Sequence, residues 1–316
     1  MPGKRAQDPP TTAGEWNGEP RTWAALASTL ARVCSQEDLN FLLTNRIPRR
    51  AATLAVGWLS RIESPRLTRL AIAAWQAFGG DLRLGEARTR EFASLRACFT
   101  RELRPGARPI DPDPATLVSP CDAVVGAFGR LDGTRAIQVK GMPYSLTDLL
   151  GDPALTERHR GGLFVTLRLR SCMYHRFHAP CAARLRRVIH ISGDTWNVNP
   201  IALRRVERLF CRNERAVLEF ELRDPDCALT LVPVAAILVA SIRLHALAGP
   251  LHLRYRGPNE LPCAVDYARG EELGYFENGS TIVAFVAGPY EFAAGLTEGA
   301  TIRVGQPLLR RQRRDP

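Results

Sequence analysis

"STIVAFVAG", Ser280 to Gly288, is a nine-residue run of β-branched and apolar residues opened by Ser and closed by Gly. That composition between turn residues predicts a strand. The same texture recurs upstream in "TLVSPCDAVVGAFG" from Thr116, "RAIQVKG" from Arg135, "GGLFVTLRL" from Gly161 and "RLRRVIHIS" from Arg184. It continues in "RAVLEFEL" from Arg215 and "ALTLVPVAAILVASIRL" from Ala228. Gly, Pro, Asn and Asp separate these runs, so a β-rich region is expected from about residue 116 onward.

The first part of the chain has a different period. "TWAALASTLARVC" (22–34), "SQEDLNFLLTNRI" (35–47), "PRRAATLAVGWLSRI" (48–62) and "SPRLTRLAIAAWQAFG" (64–79) read as helices, with Ser35 a plausible cap. Leu54, Trp58, Leu59, Leu67, Leu70, Ile72 and Trp75 give the last two apolar surfaces, beside Arg49, Arg50, Arg61, Arg66 and Arg69. Such faces lie on a bilayer or pack on the protein's own core or a second subunit, and the pattern leaves both open. Helices first and strands later predict an α+β fold, N-terminal amphipathic helices followed by a β-rich catalytic domain. Residues 1–20, rich in Pro and Gly, read as a disordered arm, 21–90 as a helical membrane-associating region and 91–316 as the β-rich domain.

With 316 residues, 45% hydrophobic and 24% charged, the chain has globular composition. Lys plus Arg number 43 against 32 Asp plus Glu, a net +11 that suits an anionic surface. The arginines are spread along the whole chain, which argues against a nucleic-acid module. No apolar run reaches the roughly 18–20 residues a spanning helix needs. The N-terminus has no apolar core of the kind a signal peptide carries. Eight scattered cysteines without a C-x-x-C pair point to free thiols in a reducing compartment.

Chemistry concentrates in a few places. Ser280 follows Gly279 in "ENGST"; Asp122 sits in "SPCDAVVG"; and "CMYHRFHAPC" (172–181) spaces Cys172, His175, His178 and Cys181 at three-residue intervals. Asp122, His178 and Ser280 make a set of the kind that activates a hydroxyl. Taken alone, such residues occur in any chain of this size, and a Ser after Gly reads first as a turn residue. The decapeptide reads as a metal site, a histidine pair or a polar strand. Structural zinc sites usually join two separated ligand pairs, and residues three apart in a strand face opposite ways, which weighs against zinc.

Several separated segments jointly match one pattern. They are "FASLRACFTRELRPGARPID" (92–111), "VSPCDAVVGAFG" (118–129), "VKGMPYSLTDLLG" (139–151), "YHRFHAP" (174–180), "WNVNPIALRRVERLFCRNERAVLEFE" (196–221) and "RGEELGYFENGSTIVAF" (269–285). Through them the chain resembles the phosphatidylserine decarboxylase proenzymes of bacterial type, a pyruvoyl-dependent family, from about residue 40 to 287. The resemblance implies self-cleavage of the Gly279–Ser280 bond, giving a β-chain 1–279 and an α-chain 280–316 whose Ser280 becomes a covalent pyruvoyl group. It implies that His178, oriented by Asp122, activates Ser280, and that His175 handles a proton or the carboxylate during decarboxylation. The ketone forms a Schiff base with the serine amine of phosphatidylserine and takes up electrons as CO2 leaves, giving phosphatidylethanolamine. No metal or diffusible cofactor is implied. The expected partners are an anionic phospholipid and a membrane surface, not nucleic acid, with a homodimer of cleaved αβ units at the cytoplasmic face of the inner membrane as a peripheral protein.

Two departures from the family pattern are local. Asn278 stands where the family has Leu, and Cys121 and Ala123 replace Ala and Gly around Asp122. Both motivate a variant reading, a member that processes slowly. A different reading is an Asp-His-Ser hydrolase acting on lipid or peptide without self-processing, against which the missing G-x-S-x-G elbow counts. Asn199, Asn213 and Arg215 are further polar candidates, either shaping the site or serving turns and strand pairing.

Overall fold

Two amphipathic helices, α1 (Arg49–Leu59) and α2 (Pro65–Gly79), are the first extended elements of the computed structural model. The structure describes residues 37–38, 41–42, 48–237, 241–277 and 280–312. The expected arm at 1–20, the helix at 22–34, most of that at 35–47, Asn278, Gly279 and the last four residues lie outside them. Ser64 precedes α2 with Pro65 in its first turn, and Gly80 at φ 96° ends it. Ile72 is buried with Leu82, Cys98 and Cys172, and Trp75 stacks on Phe99 at 5.4 Å between ring centroids. The remaining apolar face is uncovered: Leu54, Trp58, Leu59, Leu67 and Leu70 are 39, 67, 53, 50 and 69% exposed.

A short helix α3 (Leu95–Phe99), capped by the Ser94 side chain, leads into the strand region. In chain order the strands begin with β1 (Thr116–Val118), β2 (Ala123–Arg130), β3 (Arg135–Val139), β4 (Met142–Ser145), β5 (Leu163–Leu169) and β6 (Arg176–His178). Next come β7 (Ala183–Ile191), β8 (Arg215–Glu221), β9 (Ala228–Ala235), β10 (Ser241–Leu244), β11 (Leu251–His252) and β12 (Glu260–Tyr267). The last are β13 (Glu272–Phe276), β14 (Ser280–Ala287), β15 (Tyr290–Phe292), β16 (Thr301–Ile302) and β17 (Pro307–Arg311). Short helices α4 (Leu146–Leu150), α5 (Pro153–Arg158), α6 (Pro200–Arg205) and α7 (Leu209–Arg212) interrupt them. The α+β expectation holds, with these four helices added within the strand region.

An eight-stranded antiparallel sheet in the order β12-β7-β8-β9-β14-β5-β2-β16 forms the middle layer. A four-stranded sheet, β11-β10-β13-β6, and a three-stranded one, β1-β17-β15, accompany it. One core holds Ile282, Ala284 and Val286 of β14 with Leu167, Leu169, Phe177, Ile242 and Phe276. The other core holds Val283 and Phe285 with Leu146, Leu149, Ala202 and Phe210. Strand β14 is therefore apolar on both faces, which is why "STIVAFVAG" lacks alternation. Removing Phe285 to Ala would cost about 3–5 kcal/mol on this account.

The run 228–244, which reads as one strand, is two. β9 ends at Ala235 in the large sheet and β10 starts at Ser241 in the small one. In the reverse direction β13, which ends at Phe276, lies in the small sheet and β14, which starts at Ser280, in the large one. Residues 41–316 belong to one compact unit.

Candidate active site

Ser280, the first residue of β14, is in register with Leu169 of β5 and Ala235 of β9, both residues of the core shared with the small sheet. Val124 of β2 is in register with Arg168, which is in register with Thr281. Asp122, just before β2, and Ser280 therefore lie at the same end of the large sheet, two strand spacings or roughly 10 Å apart. Ser280 begins its strand at this end.

His178 closes β6, in register with Glu272 of β13. Its Nδ1 lies 2.9 Å from the Gly270 carbonyl oxygen, which can only accept, so Nδ1 carries the proton. Nε2 is then the lone-pair nitrogen, and it receives the Tyr174 hydroxyl at 3.1 Å. Burial holds the imidazole below its ordinary pKa, against the Gly270 hydrogen bond and the fields of Glu272 and Asp122. The result is a neutral imidazole with a fixed tautomer, the form a general base requires. Gly270 is suited to its task by conformation and space. Its φ is 81°, and a Cβ there would meet Ile110 at 2.8 Å.

The expected orientation of His178 by Asp122 is corrected by this geometry: the Gly270 carbonyl, not the carboxylate, orients the ring. Asp122 accepts from Arg108 Nε at 2.8 and 3.1 Å and from Arg108 Nη2 at 2.5 Å. The Val304 backbone N–H donates to it at 3.0 Å. Arg108 also meets Glu86 at 2.8 Å, and its guanidinium lies 6.0 Å from the centre of the Tyr174 ring. Arg108 thus lies between Asp122, which it binds, and Tyr174, whose hydroxyl meets His178. Tyr174, His178, Arg108 and Glu272 line a cleft of about 270 Å³. Asp122, Arg101, Arg108, Arg170 and Tyr174 line a neighbouring cavity of about 200 Å³ rich in guanidinium groups.

His175 is completely buried, its ring 3.9 Å from that of Phe99. Nδ1 donates to the Met173 carbonyl at 2.8 Å, while Nε2 is buried without a hydrogen-bond partner among the described residues. Burial pushes the imidazole down to about 3. Its own carbonyl accepts from Phe276 N–H at 3.0 Å, so it sits beside the strand end that leads to residue 279. The rest of the decapeptide disperses. Cys172 packs with Ile72 and Leu82, and Cys181 lies against the core between the sheets, its thiol pushed up to about 12 by burial. Among the described residues no three His, Cys, Asp or Glu side chains come together as metal ligands.

The other polar candidates serve the scaffold. Asn199 caps α6 through Ala202 N–H, and Asn213 bonds Trp196 and the carbonyl of Ala235, the strand neighbour of Ser280. Arg215 is buried with its donors on the carbonyls of Leu149, Cys211, Asn213 and Asp148. Ala123 is fully buried among Cys121, Val125 and Leu167, where its methyl group is part of the core. Arg108, Tyr174 and Gly270 were missed as site residues, although all three lie inside the quoted segments.

Fold and site define an α+β enzyme with a buried histidine, His175, and a half-buried one, His178, at the two ends of the edge strand β6. A family model described as phosphatidylserine decarboxylase matches residues 95–310. Proteins named phosphatidylserine decarboxylase proenzyme are similar over nearly the whole length. That of Halorhodospira halophila (strain DSM 244 / SL1) is 41% identical over 282 residues, 86% of this chain and 91% of that protein. That of Polaromonas sp. (strain JS666 / ATCC BAA-500) is 36% identical, covering 83% and 94%. That of Brevibacillus brevis (strain 47 / JCM 6285 / NBRC 100599) is 32% identical, covering 84% and 95%. The chain belongs to the phosphatidylserine decarboxylase family.

Proposed function

We propose that this chain is a precursor that cuts itself at Gly279–Ser280 and then converts phosphatidylserine to phosphatidylethanolamine. The observation that supports the reading is His178, whose Nδ1 is fixed by the Gly270 carbonyl so that Nε2 is the acceptor, and whose backbone N–H bonds the Pro120 carbonyl just before Asp122, at the end of the large sheet where Ser280 begins its strand. Ser280 Oγ gives its proton to His178 Nε2 and attacks the Gly279 carbonyl. The new C–O bond replaces the C–N bond, and the amine leaves with a proton. Loss of the Ser280 α-proton expels the Gly279 carboxylate. The dehydroalanine left behind takes up water and releases ammonia, leaving a pyruvoyl group at residue 280.

The surroundings suit such a group. The register of Ser280 with both neighbouring strands keeps residue 280 in the sheet after the bond is cut, and the unpartnered Nε2 of His175 lies in the adjoining segment. Once formed, the ketone supplies an electron sink for loss of CO2. His175 is the candidate for proton or carboxylate handling, and the arginine-rich cavity favours an anionic head group.

The uncovered faces of α1 and α2, flanked by exposed Arg50, Arg61, Arg66 and Arg69, support a peripheral position on an anionic membrane, within the membrane-associating region 21–90. No helix among the described residues is long and apolar enough to cross a membrane. The cytoplasmic face of the inner membrane and a homodimer of cleaved units complete the reading. Purified protein supplied with phosphatidylserine vesicles releases CO2, and Ser280→Ala does not. An equally active Ser280→Ala variant would refute the proposal. A serine that reacts with fluorophosphonate in an uncut chain would favour the hydrolase instead.

A further inference from the structure

We infer that Glu277 is a positioning residue for self-cleavage, its carboxylate clamped by Arg96 of α3 and by Arg61 just beyond α1, so that the chain runs to the scissile bond from a fixed point. The inference rests on the reading that Gly279–Ser280 is the bond cut. Glu277 stands two residues before that bond, and its side chain is only 11% exposed. Arg96 of α3 binds one of its carboxylate oxygens, and Arg61, just beyond α1, faces the other at 3.6 Å. The two arginines form one bracket, because Arg96 N–H donates to the Ser60 carbonyl at 2.8 Å. In turn α2 is tied to the segment before α3 through the Thr68 hydroxyl on the Ala93 carbonyl at 3.2 Å.

The need for such a clamp follows from the strand crossing. On one side the backbone is held by Phe276 N–H on the His175 carbonyl at 3.0 Å and by Glu277 N–H on the Ser241 carbonyl at 3.2 Å. On the other side Ser280 is held by the ladder to Leu169 and Ala235. Only two residues span the interval, so the approach of the Ser280 hydroxyl to the Gly279 carbonyl depends on where residue 277 is fixed. Beyond Glu277 N–H, that anchor is the side-chain clamp. Glu277 touches no reacting atom in this scheme. It acts by fixing geometry, and a displacement of about 1 Å in such an arrangement can slow a reaction by up to about a hundredfold.

The test follows cleavage of freshly synthesised full-length precursor by intact mass in the parent, Glu277→Ala, Arg96→Ala and the double variant. Unfolding midpoints are measured for each change in the uncleavable Ser280→Ala background. The clamp predicts that each single change slows cleavage roughly ten- to a hundredfold, with the double variant no slower than the worse single one. Cleavage at Gly279–Ser280 proceeds in all of them, and the midpoints stay close to that of Ser280→Ala alone. Parental cleavage rates in Glu277→Ala would overturn the inference while leaving the proposed function standing. So would additive slowing in the double variant, or slowing that merely tracks lost stability. A parent that never cleaves, or cleaves elsewhere, would overturn both.

Discussion

At the scale of single residues the site is built on partners that leave no mark in sequence spacing. His175, His178 and Asp122 stand out because of their types and their neighbours in the chain. The group that orients His178 is a backbone carbonyl 92 positions away, made available by a turn that only glycine at 270 fits. Arg108 looks like one of many arginines until the fold brings it onto Asp122. Replacing Asp122 by Asn removes one of the two carboxylates paired with the buried Arg108 side chain and leaves Glu86. The expected loss is on the order of 3 kcal/mol in urea unfolding of the Ser280→Ala protein, and an unchanged midpoint would contradict the ion pair. His175 makes a second prediction. Its folded pKa of about 3 lies below the ordinary 6.5, so unfolding takes up a proton at acid pH. The stability of the neutral buried form is complete above pH 6.5 and is lost progressively between 6.5 and 3. Urea midpoints measured across that window should fall less steeply in His175→Phe than in the parent.

At the scale of elements, periodicity was enough for α1 and α2, because a helical stripe of Leu and Trp repeats every three to four residues. It also marked the strand runs, since β-branched content survives without knowledge of pairing. It failed at 228–244, where one apolar stretch is shared between two sheets and the break carries no Pro, Gly or charge between Ala235 and Ser241. Nor did it reveal which helical face stays uncovered, because burial of Ile72 and exposure of Leu70 depend on what α3 and Cys172 contribute. The exposed face makes a prediction of its own. Trp58→Ser combined with Leu70→Ser should weaken sedimentation with phosphatidylglycerol vesicles about tenfold or more, at roughly 1.5–3 kcal/mol per buried apolar side chain. Self-cleavage of the precursor in the absence of vesicles should be unaffected. Equal vesicle binding by the double variant would assign the face to protein contacts instead.

At the scale of the molecule, the strands and the family resemblance were both legible, yet the way the C-terminal segment is woven in was not. Residues 280–312 supply β14 at the centre of the large sheet, β16 at its edge beside β2 and β17 between β1 and β15. They also supply the Val304 N–H that holds Asp122. A cut before Ser280 therefore leaves the two chains interlocked, and they should travel together in native chromatography and separate only on denaturation. Intact mass of the purified, denatured protein is the most direct test of self-cleavage. The account predicts two chains, 1–279 and 280–316, the shorter one lacking a free N-terminal amine and carrying the mass of a pyruvoyl group in place of serine. A single uncut chain of 316 residues, or a cut chain that begins with an ordinary serine, would contradict it.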